Sequence, residues 1–598
     1  SLLDEAMKDL PLMKDKERSR WAYHSLESAA ALKAMTLFYA ASPLFNGNPA
    51  YSGFVNSKGE KLFSQQKDPE KWRYAAEAVD SALLICNRGG KYLISSESDK
   101  ITDRIKDIEA SAIALNFENA EAIYMFRYES FVNGGWPKWT RPYFNSTDED
   151  YNMEMKGCVA PSLKMVEMYY TEHGLPIEED KAWWKYEERY TMGTEDDKRY
   201  KDVVAMDEKV LKLHLKREPR FYAHIAADRC YYQLGKKNVL VEAYRGERFG
   251  TREASITNSV PQNLTGYWMK KGSDSEVSNV GYNNAFTNDY PCVLIRLADL
   301  YLMKAEAWNE YLAVPDEEHV YAPLNEVRRR AGIPDVKEAW ETYAKNPGKV
   351  ATKEGMRKII HREWDIEFAF EGRRFWNLRR WLTAVDELNE EQYGWNIVGQ
   401  NAREFYNNFR EPVRVWAKRK FISPRDYLFP LQSEEVMISG CVQNPGNIND
   451  LIGIIMKRLV YIWLVAWVLW GCQKEEAYFD VLVPADGLTF SPVEGGAVMH
   501  YRLPADEKVY SIRVRYQDGF GKDMIRTGSY ACDSLLITGF NEARKGVKAY
   551  VTLCDRNDVE SEALEVTFDT RDSGPVAFIN NLEVVPGWGN GFVLSYDL

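Results

Sequence analysis

Residues that build metal and redox centres are scarce in this sequence. Only 8 cysteines and 7 histidines occur among 598 residues, and no two cysteines form a Cys-x-x-Cys pair. A disulfide scaffold, a structural zinc site and a thioredoxin-like motif are therefore not indicated. His361 shares a helical pattern with Glu363 and Glu367, but this spacing fits no standard metal site. We expect no metal and no cofactor.

Excess positive charge and catalytic signature motifs are also missing. The chain carries 77 Lys and Arg against 89 Asp and Glu, a formal net charge of −12. It lacks the basic surface that nucleic-acid binding requires, so no nucleic-acid partner is expected. No Gly-x-Ser-x-Gly, His-Glu-x-x-His, Walker or Gly-x-Gly-x-x-Gly motif occurs, which argues against an enzyme. The many acidic residues neither identify nor exclude the carboxylate pair of a glycosidase.

One uncharged apolar run stands inside the chain. Lys457 and Arg458 precede Leu459–Trp470, twelve residues without a charge. As a helix this run spans about 18 Å, short of the ~30 Å hydrocarbon core of a membrane, so a transmembrane helix is disfavoured. With the following Gly471 and Cys472, the run resembles the signal of a bacterial lipoprotein, in which Cys472 is lipidated.

A lipoprotein signal works only at the start of a chain, and this one is internal. We therefore interpret the polypeptide as two neighbouring reading frames joined near residues 447–456. The alternative is a buried apolar helix within one natural protein, because short apolar runs are ambiguous by pattern alone.

Residues 1–446 are predicted to be mainly helical. Apolar and small residues recur at helical spacing in pairs of segments that resemble tetratricopeptide units. The predicted helices include Trp21–Ala41, Trp72–Cys86, Leu297–Leu312 and Arg357–Phe370, whose pattern continues to Trp381. Long loops at 131–152 and 244–292 interrupt these helices, and loops of such length often carry function.

A series of motifs in this region resembles the SusD/RagB family of outer-membrane nutrient-binding lipoproteins. They occur in the family's order: Phe38–Gly47, Arg217–Tyr222, Thr265–Tyr267, Arg296–Leu302, Asn325–Pro334, Arg362–Trp381, Tyr427–Pro430 and Gln443–Gly446. The resemblance implies a non-enzymatic surface protein, anchored to the outer membrane by lipid, that binds oligosaccharides and passes them to a SusC-like TonB-dependent transporter. It also implies that the N-terminal stretch of the family domain is missing here.

Aromatic residues in the long loops are the candidate ligand contacts. Trp136 and Trp139 flank a proline and a lysine, whereas Tyr267, Trp268 and Tyr282 lie in the second loop. A ring can stack on the C–H face of a sugar while neighbouring polar groups bind its hydroxyls. The alternative is that these rings pin their loops to the helical body, because tryptophan is highly buried on average.

Tryptophans inside the helical patterns are predicted to be core residues; these are Trp21, Trp72, Trp308, Trp364 and Trp376. The charged residues of the 362–381 motif are predicted to form ion pairs along the helix rather than a clamp for a ligand carboxylate. These are Glu363, Glu367, Glu371, Arg373, Arg374, Arg379 and Arg380.

Short β-rich runs follow residue 473 and predict a separate all-β sandwich of fibronectin or immunoglobulin type. The runs are Val481–Val483, Val509–Tyr516, Leu535–Gly539, Val547–Leu553 and Ala563–Phe568. This part is similar to the N-terminal sandwich modules of surface glycan-binding lipoproteins, in which such sandwiches act as spacers.

These interpretations give five segments. Residues 1–446 form the helical nutrient-binding domain, 447–455 the junction, 456–472 the signal segment, 473–572 the sandwich, and 573–598 the start of a further, truncated β domain. An extracellular glycoside hydrolase, or an accessory carbohydrate-binding module of one, is the alternative function. A peptide ligand also stays open.

Overall fold

A computed structural model describes most of the chain as two compact units, Ser1–Ile455 and Met456–Leu598. The residues described are 2–17, 20–21, 23–56, 58–96, 98–113, 119–126, 136–183, 185–250, 263–280, 292–416, 419–432, 443–444, 481–504, 506, 508–529, 533–555, 559–574, 576–577, 583–586 and 592–595. The predicted junction, the signal segment and Cys472 lie outside them. The predicted segment boundaries stay predictions.

The first unit is mainly helical, as its sequence predicts. Within the described residues its helices are α1 (Leu2–Asp9), α2 (Leu26–Ala41), α3 (Glu70–Arg88), α4 (Ile101–Ala112), α5 (Trp136–Thr140), α6 (Leu163–Met168), α7 (Pro219–His224), α8 (Leu297–Tyr311), α9 (Ala322–Arg330), α10 (Val336–Tyr343), α11 (Lys353–Glu367), α12 (Arg373–Arg380), α13 (Ala384–Leu388) and α14 (Ala402–Phe405).

Tetratricopeptide-like pairing is clearest where α2 and α8 both pack against α3. Fully buried alanines allow these close approaches, among them Ala31 and Ala34 on α2 and Ala75 and Ala82 on α3. Ser25 caps α2, because its hydroxyl accepts a hydrogen bond from the third residue of the helix.

The first unit also contains short pairs of antiparallel strands. Strand β1 (Ala122–Phe126) pairs with β8 (Cys292–Arg296), β2 (Met192–Gly193) with β3 (Val210–Leu211), β4 (Ile225–Ala226) with β7 (Trp268–Met269), β5 (Tyr231–Leu234) with β6 (Lys237–Leu240), and β9 (Gln392–Gly394) with β10 (Val413–Trp416). No helix in the described part of the chain is both long and apolar enough to cross a bilayer.

Two large hydrophobic clusters form the interior of the first unit, and α11 contributes to both. Trp364 and Phe368 belong to the cluster between the helices. Ile366 belongs to the cluster beneath the loops and small sheets. The end of α11 therefore lies at the boundary between the two clusters.

A buried network of charges occupies this region. Its cations are Arg220, Lys271, Arg296, Arg328 and Arg330, and its anions are Glu121, Glu218, Glu363, Glu367 and Glu371. Five positive groups thus meet five negative ones. Buried charges are tolerated only when they are paired and hydrogen-bonded, and this balance provides that pairing.

The predicted ion pairs along the 362–381 helix are wrong, because the helix is broken. Gly372, with φ +78°, separates α11 from α12. Arg373 bonds Asp299 at 2.8 Å and Arg380 bonds Glu306 at 2.5 Å, both on α8. Arg373, Arg374 and Arg380 therefore pair with carboxylates of other helices, and their role is structural, as expected.

The second unit contains two antiparallel sheets that share one core. The first has β11 (Leu488–Val493), β12 (Gly496–Tyr501) and β15 (Ser534–Thr538); the second has β14 (Asp523–Ser529), β13 (Ser511–Gln517), β16 (Val547–Cys554) and β17 (Leu564–Phe568). Met499, Ile537, Val514 and Val551 from both sheets form one hydrophobic cluster. This confirms a β domain, whereas its fibronectin or immunoglobulin type stays a prediction. A hairpin of β18 (Glu583–Pro586) and β19 (Phe592–Ser595) follows.

Candidate functional site

The segment around Trp139, which includes α5 (Trp136–Thr140) and is called the Trp139 loop below, carries an exposed indole on a backbone fixed by hydrogen bonds. Trp139 lies in α5, within the first long loop of the sequence prediction, and is 43% exposed. Its carbonyl accepts hydrogen bonds from the amides of Cys158 (3.0 Å) and Val159 (3.1 Å). These bonds fix the backbone of Trp139 at the surface of the first unit. Trp136 begins the same short helix, and its side chain lies outside the described part of the chain.

Arg141 ties the Trp139 loop to the segment 273–279. Its guanidinium is fully buried and donates to Asn279 Oδ1 (2.9 Å), Ser273 Oγ (2.7 Å) and the carbonyl of Val277. Asn279 in turn donates to the carbonyl of Pro142 at 3.0 Å. Bonds in both directions between the two segments make them one rigid support.

The segment anchored by Arg141 forms one wall of a polar cavity of about 460 Å³. Helix α4 and the β5–β6 hairpin form the other walls. The lining residues are Thr102, Ile105, Lys106, Glu109, Gln233, Lys236, Asn238, Ser275 and Glu276. Gly235 and Lys236 both have positive φ, as a type I′ turn requires, and the amide of Gly235 donates to the carbonyl of Ser275 at 3.0 Å.

Two titratable groups at this cavity have pKa values shifted by burial. Burial raises the pKa of Glu109, although a bond from the Ser275 amide (2.5 Å) opposes this shift. Burial also lowers the pKa of Lys270 to about 8, and its ammonium donates to Gln233 Oε1 (2.7 Å) behind the cavity wall. Amide, hydroxyl, carboxyl and ammonium groups therefore face the space, and this mixture suits a polyhydroxylated ligand.

Two of the predicted stacking rings belong to the core, which corrects the prediction for them. Tyr267 is 0% and Trp268 5% exposed. The Tyr267 hydroxyl accepts a hydrogen bond from Trp395 Nε1 at 2.7 Å and pairs with His214 Nε2 at 3.0 Å. Trp268 lies in β7, which pairs with β4. Neither ring offers a face to a ligand. Tyr282 lies outside the described residues.

An exposed aromatic group occurs where sequence analysis predicted core. Trp376 is 45% exposed and contacts Phe375 and Phe429, with ring centroids 5.1 and 5.7 Å away. Sequence reasoning also missed Gln233 and Asn238. These residues lie in a β-hairpin, which the sequence indicates by alternating side chains on either side of the turn residues Gly235 and Lys236.

Metal binding finds no support in the geometry. In the described ranges, no group of three or more His, Cys, Asp or Glu side chains converges as metal ligands would.

Two family models match the chain. Residues 120–446 match the model described as the SusD family. Residues 485–570 match a domain of unknown function, DUF4959.

A curated relative, SusD-like protein P25 of Formosa agariphila, is 27% identical over 158 residues, which cover 26% of this chain and 28% of the relative. The matched part therefore spans less than a third of that protein. Among solved structures, BT4246 in its selenomethionine form is similar, with 25% identity, a TM-score of 0.60 and coverage of 74% of this chain and 76% of its own. A SusD-like protein, BF3747, from Bacteroides fragilis shares the fold at 20% identity, with a TM-score of 0.51 and coverage of 74% and 69%.

Proposed function

Because the chain belongs to the SusD family, we propose that its first unit binds oligosaccharides at the Trp139 loop and the polar cavity beside the 273–279 segment. An exposed ring on a fixed loop supplies a stacking surface for the apolar face of a sugar. The cavity supplies donors and acceptors for hydroxyl groups. Arg141 connects the two parts, since it follows the Trp139 helix and holds the cavity wall.

The prediction that the chain is not an enzyme is confirmed, because SusD-like proteins are non-catalytic binding proteins. Family membership also supports association with the cell surface.

We also propose that the bound glycan is delivered to a SusC-like TonB-dependent transporter at the outer membrane. This proposal, like that of lipid anchoring through Cys472 at the start of the second reading frame, is based on the family resemblance. In this arrangement the β domain is a fibronectin-type spacer. Mass spectrometry of the natural product tests the anchor: an intact 69.1 kDa chain with unmodified peptides across 447–472 would contradict both the lipid and the boundary.

The proposed binding site rests on one observation: the exposed indole of Trp139 lies on a loop whose position is fixed by the buried side chain of Arg141. A glycan array identifies a ligand, and calorimetry then compares Trp139→Ala with wild type. A ring at the centre of a binding surface contributes roughly 1–3 kcal/mol, which corresponds to a fall in affinity of about 5- to 150-fold.

Trp376→Ala is the matched control, because its indole is equally exposed but lies on α12. It should leave glycan affinity unchanged. Equal losses in the two variants, or no loss in either, would place the ligand elsewhere. Incubation of the wild type with polysaccharides should release no reducing ends.

A further inference from the structure

A second cavity, larger than the first, lies among the helices of the first unit. Its volume is about 760 Å³, within the range of roughly 300–1,000 Å³ that is typical of ligand cavities. Helices α3, α8 and α9 and the chain that follows α3 form its walls. Its lining residues are Asp80, Leu83, Leu84, Asn87, Lys91, Tyr92, Leu93, Ser95, Leu297, Tyr301, Lys304, Glu318, His319, Glu326, Arg329 and Arg330. We refer to it as the helical cleft.

Most charges of the helical cleft are neutralised by partners within the protein. Lys304 pairs with Asp80 at 2.7 Å, and Arg329 with Glu326 at 3.1 Å. Arg330 belongs to the buried network described above. Among the described residues, the cleft therefore has no cluster of unmatched cations for a phosphate or carboxylate, and no converging carboxylates for a metal ion.

Polar groups that are not satisfied by the protein remain in this cleft. The hydroxyls of Tyr92 and Tyr301 and the side-chain amide of Asn87 make no hydrogen bond within the described part of the chain. The Tyr92 side chain is 62% exposed, and Tyr301 is half-buried. Two phenol rings with free hydroxyls beside an amide present both stacking faces and hydrogen-bonding groups.

We propose that the helical cleft is a second binding site, for a neutral oligosaccharide. Paired charges disfavour an ionic ligand, and the solvent-accessible hydroxyl and amide groups without protein partners match a ligand that carries many hydroxyls. None of its lining residues lines the polar cavity near Trp139. The inference therefore does not depend on the first site. A chain with two sites binds a long glycan more tightly than either site alone, because the second contact is intramolecular.

The experiment uses the full chain and a panel of neutral polysaccharides: starch, laminarin, xyloglucan, galactomannan and inulin. Affinity gel electrophoresis compares the wild type with Trp139→Ala, which weakens the first site. Trp139→Ala should retain binding to at least one polymer. Adding Asn87→Trp, which fills the helical cleft from an exposed position of α3, should then weaken that binding at least tenfold.

Ser81→Trp in the same background is the matched control, because Ser81 is exposed on α3 but does not line the cleft. It should leave binding unchanged. Tyr301→Phe keeps the ring and removes only the hydroxyl, and it should weaken binding several-fold without loss of fold.

Two outcomes overturn the proposal: Trp139→Ala binds no polymer of the panel, or its binding survives Asn87→Trp. If Asn87→Trp alone abolishes binding while Trp139→Ala has no effect, the helical cleft is supported and the Trp139 site is refuted. The two proposals can therefore fail separately.

Discussion

Glu367 lies at the centre of the buried charge network, and replacing it with glutamine removes one negative charge with little change of shape. Its carboxylate bonds Arg296 at 2.7 Å and Arg220 at 3.2 Å, and it also contacts Arg330. Burial disfavours this charge, but the three guanidiniums outweigh that effect and hold the pKa of Glu367 well below its usual value. The group is therefore charged at neutral pH, and Glu367→Gln leaves five buried cations against four anions.

The expected loss follows from this imbalance. Removing one partner of a buried ion pair costs roughly 3–5 kcal/mol, because the remaining charges stay buried without compensation. Unfolding entropy is about 2.1 cal/mol/K per residue, which gives ~1 kcal/mol/K for a unit of 455 residues. Glu367→Gln should therefore lower the Tm of the first unit by about 3–5 °C.

Differential scanning calorimetry of the full chain measures this shift. Glu178→Gln is the control, because Glu178 pairs with Arg362 at 2.9 Å but is 44% exposed. An exposed pair contributes about 0–1 kcal/mol, so the control should shift the Tm by less than about 1 °C. Equal shifts in the two variants would refute the conclusion that the network stabilises the first unit through its balance of charge.

Two further changes test the β domain and a tight turn. Bonds from Arg515 hold the pKa of Glu560 at about 2, below the usual 4.5. The stabilisation from Glu560 is thus complete above pH 4.5 and is lost as the pH falls toward 2, so Glu560→Gln should flatten the acid dependence of the second unit's Tm. Gly266→Ala should lower the Tm more than Gly59→Ala: φ is close to +80° at both positions, but only at Gly266 does the added Cβ approach Phe405, to 2.7 Å.

Helices of the first unit were predictable because apolar and small residues repeat over several turns. The predicted helix Leu297–Leu312 is α8 (Leu297–Tyr311), and Trp72–Cys86 is α3 (Glu70–Arg88). The ion-pair prediction was wrong because the helical spacing of residues is continuous in the sequence from Arg357 to Trp381. A single glycine with positive φ breaks that pattern, and spacing alone does not show which way the chain then turns.

Strands of the β domain were found only where their pattern is strong. Predicted Val547–Leu553 corresponds to β16, and predicted Leu535–Gly539 to β15. Strands β11, β12 and β14 were not predicted. Strand β11 contains Pro492 and lies at a sheet edge, where proline is tolerated although it weakens the signal.

Site residues were harder to predict, because exposure depends on distant partners. In the sequence, Tyr267 and Trp139 both lie in long predicted loops beside tryptophans or polar residues. No local feature therefore predicts which of the two rings is exposed. Tyr267 is buried because His214 and Trp395 bond its hydroxyl, and these residues are far away along the chain. Trp139 stays exposed because its loop is held by backbone bonds and not by its ring.

The recognisable motifs and the candidate ligand contacts have different physical roles in this chain. Arg220, Arg296 and Glu367 all lie in motifs that carry the family resemblance, and all are at most 2% exposed within the charge network. Trp139 and Gln233 lie outside every one of those motifs. A buried, balanced network tolerates few substitutions, since each leaves an unpaired charge. Positions at the surface tolerate many. The motifs therefore specify the helical body, and the proposed sugar contacts on α5 and β5 can change without loss of that body.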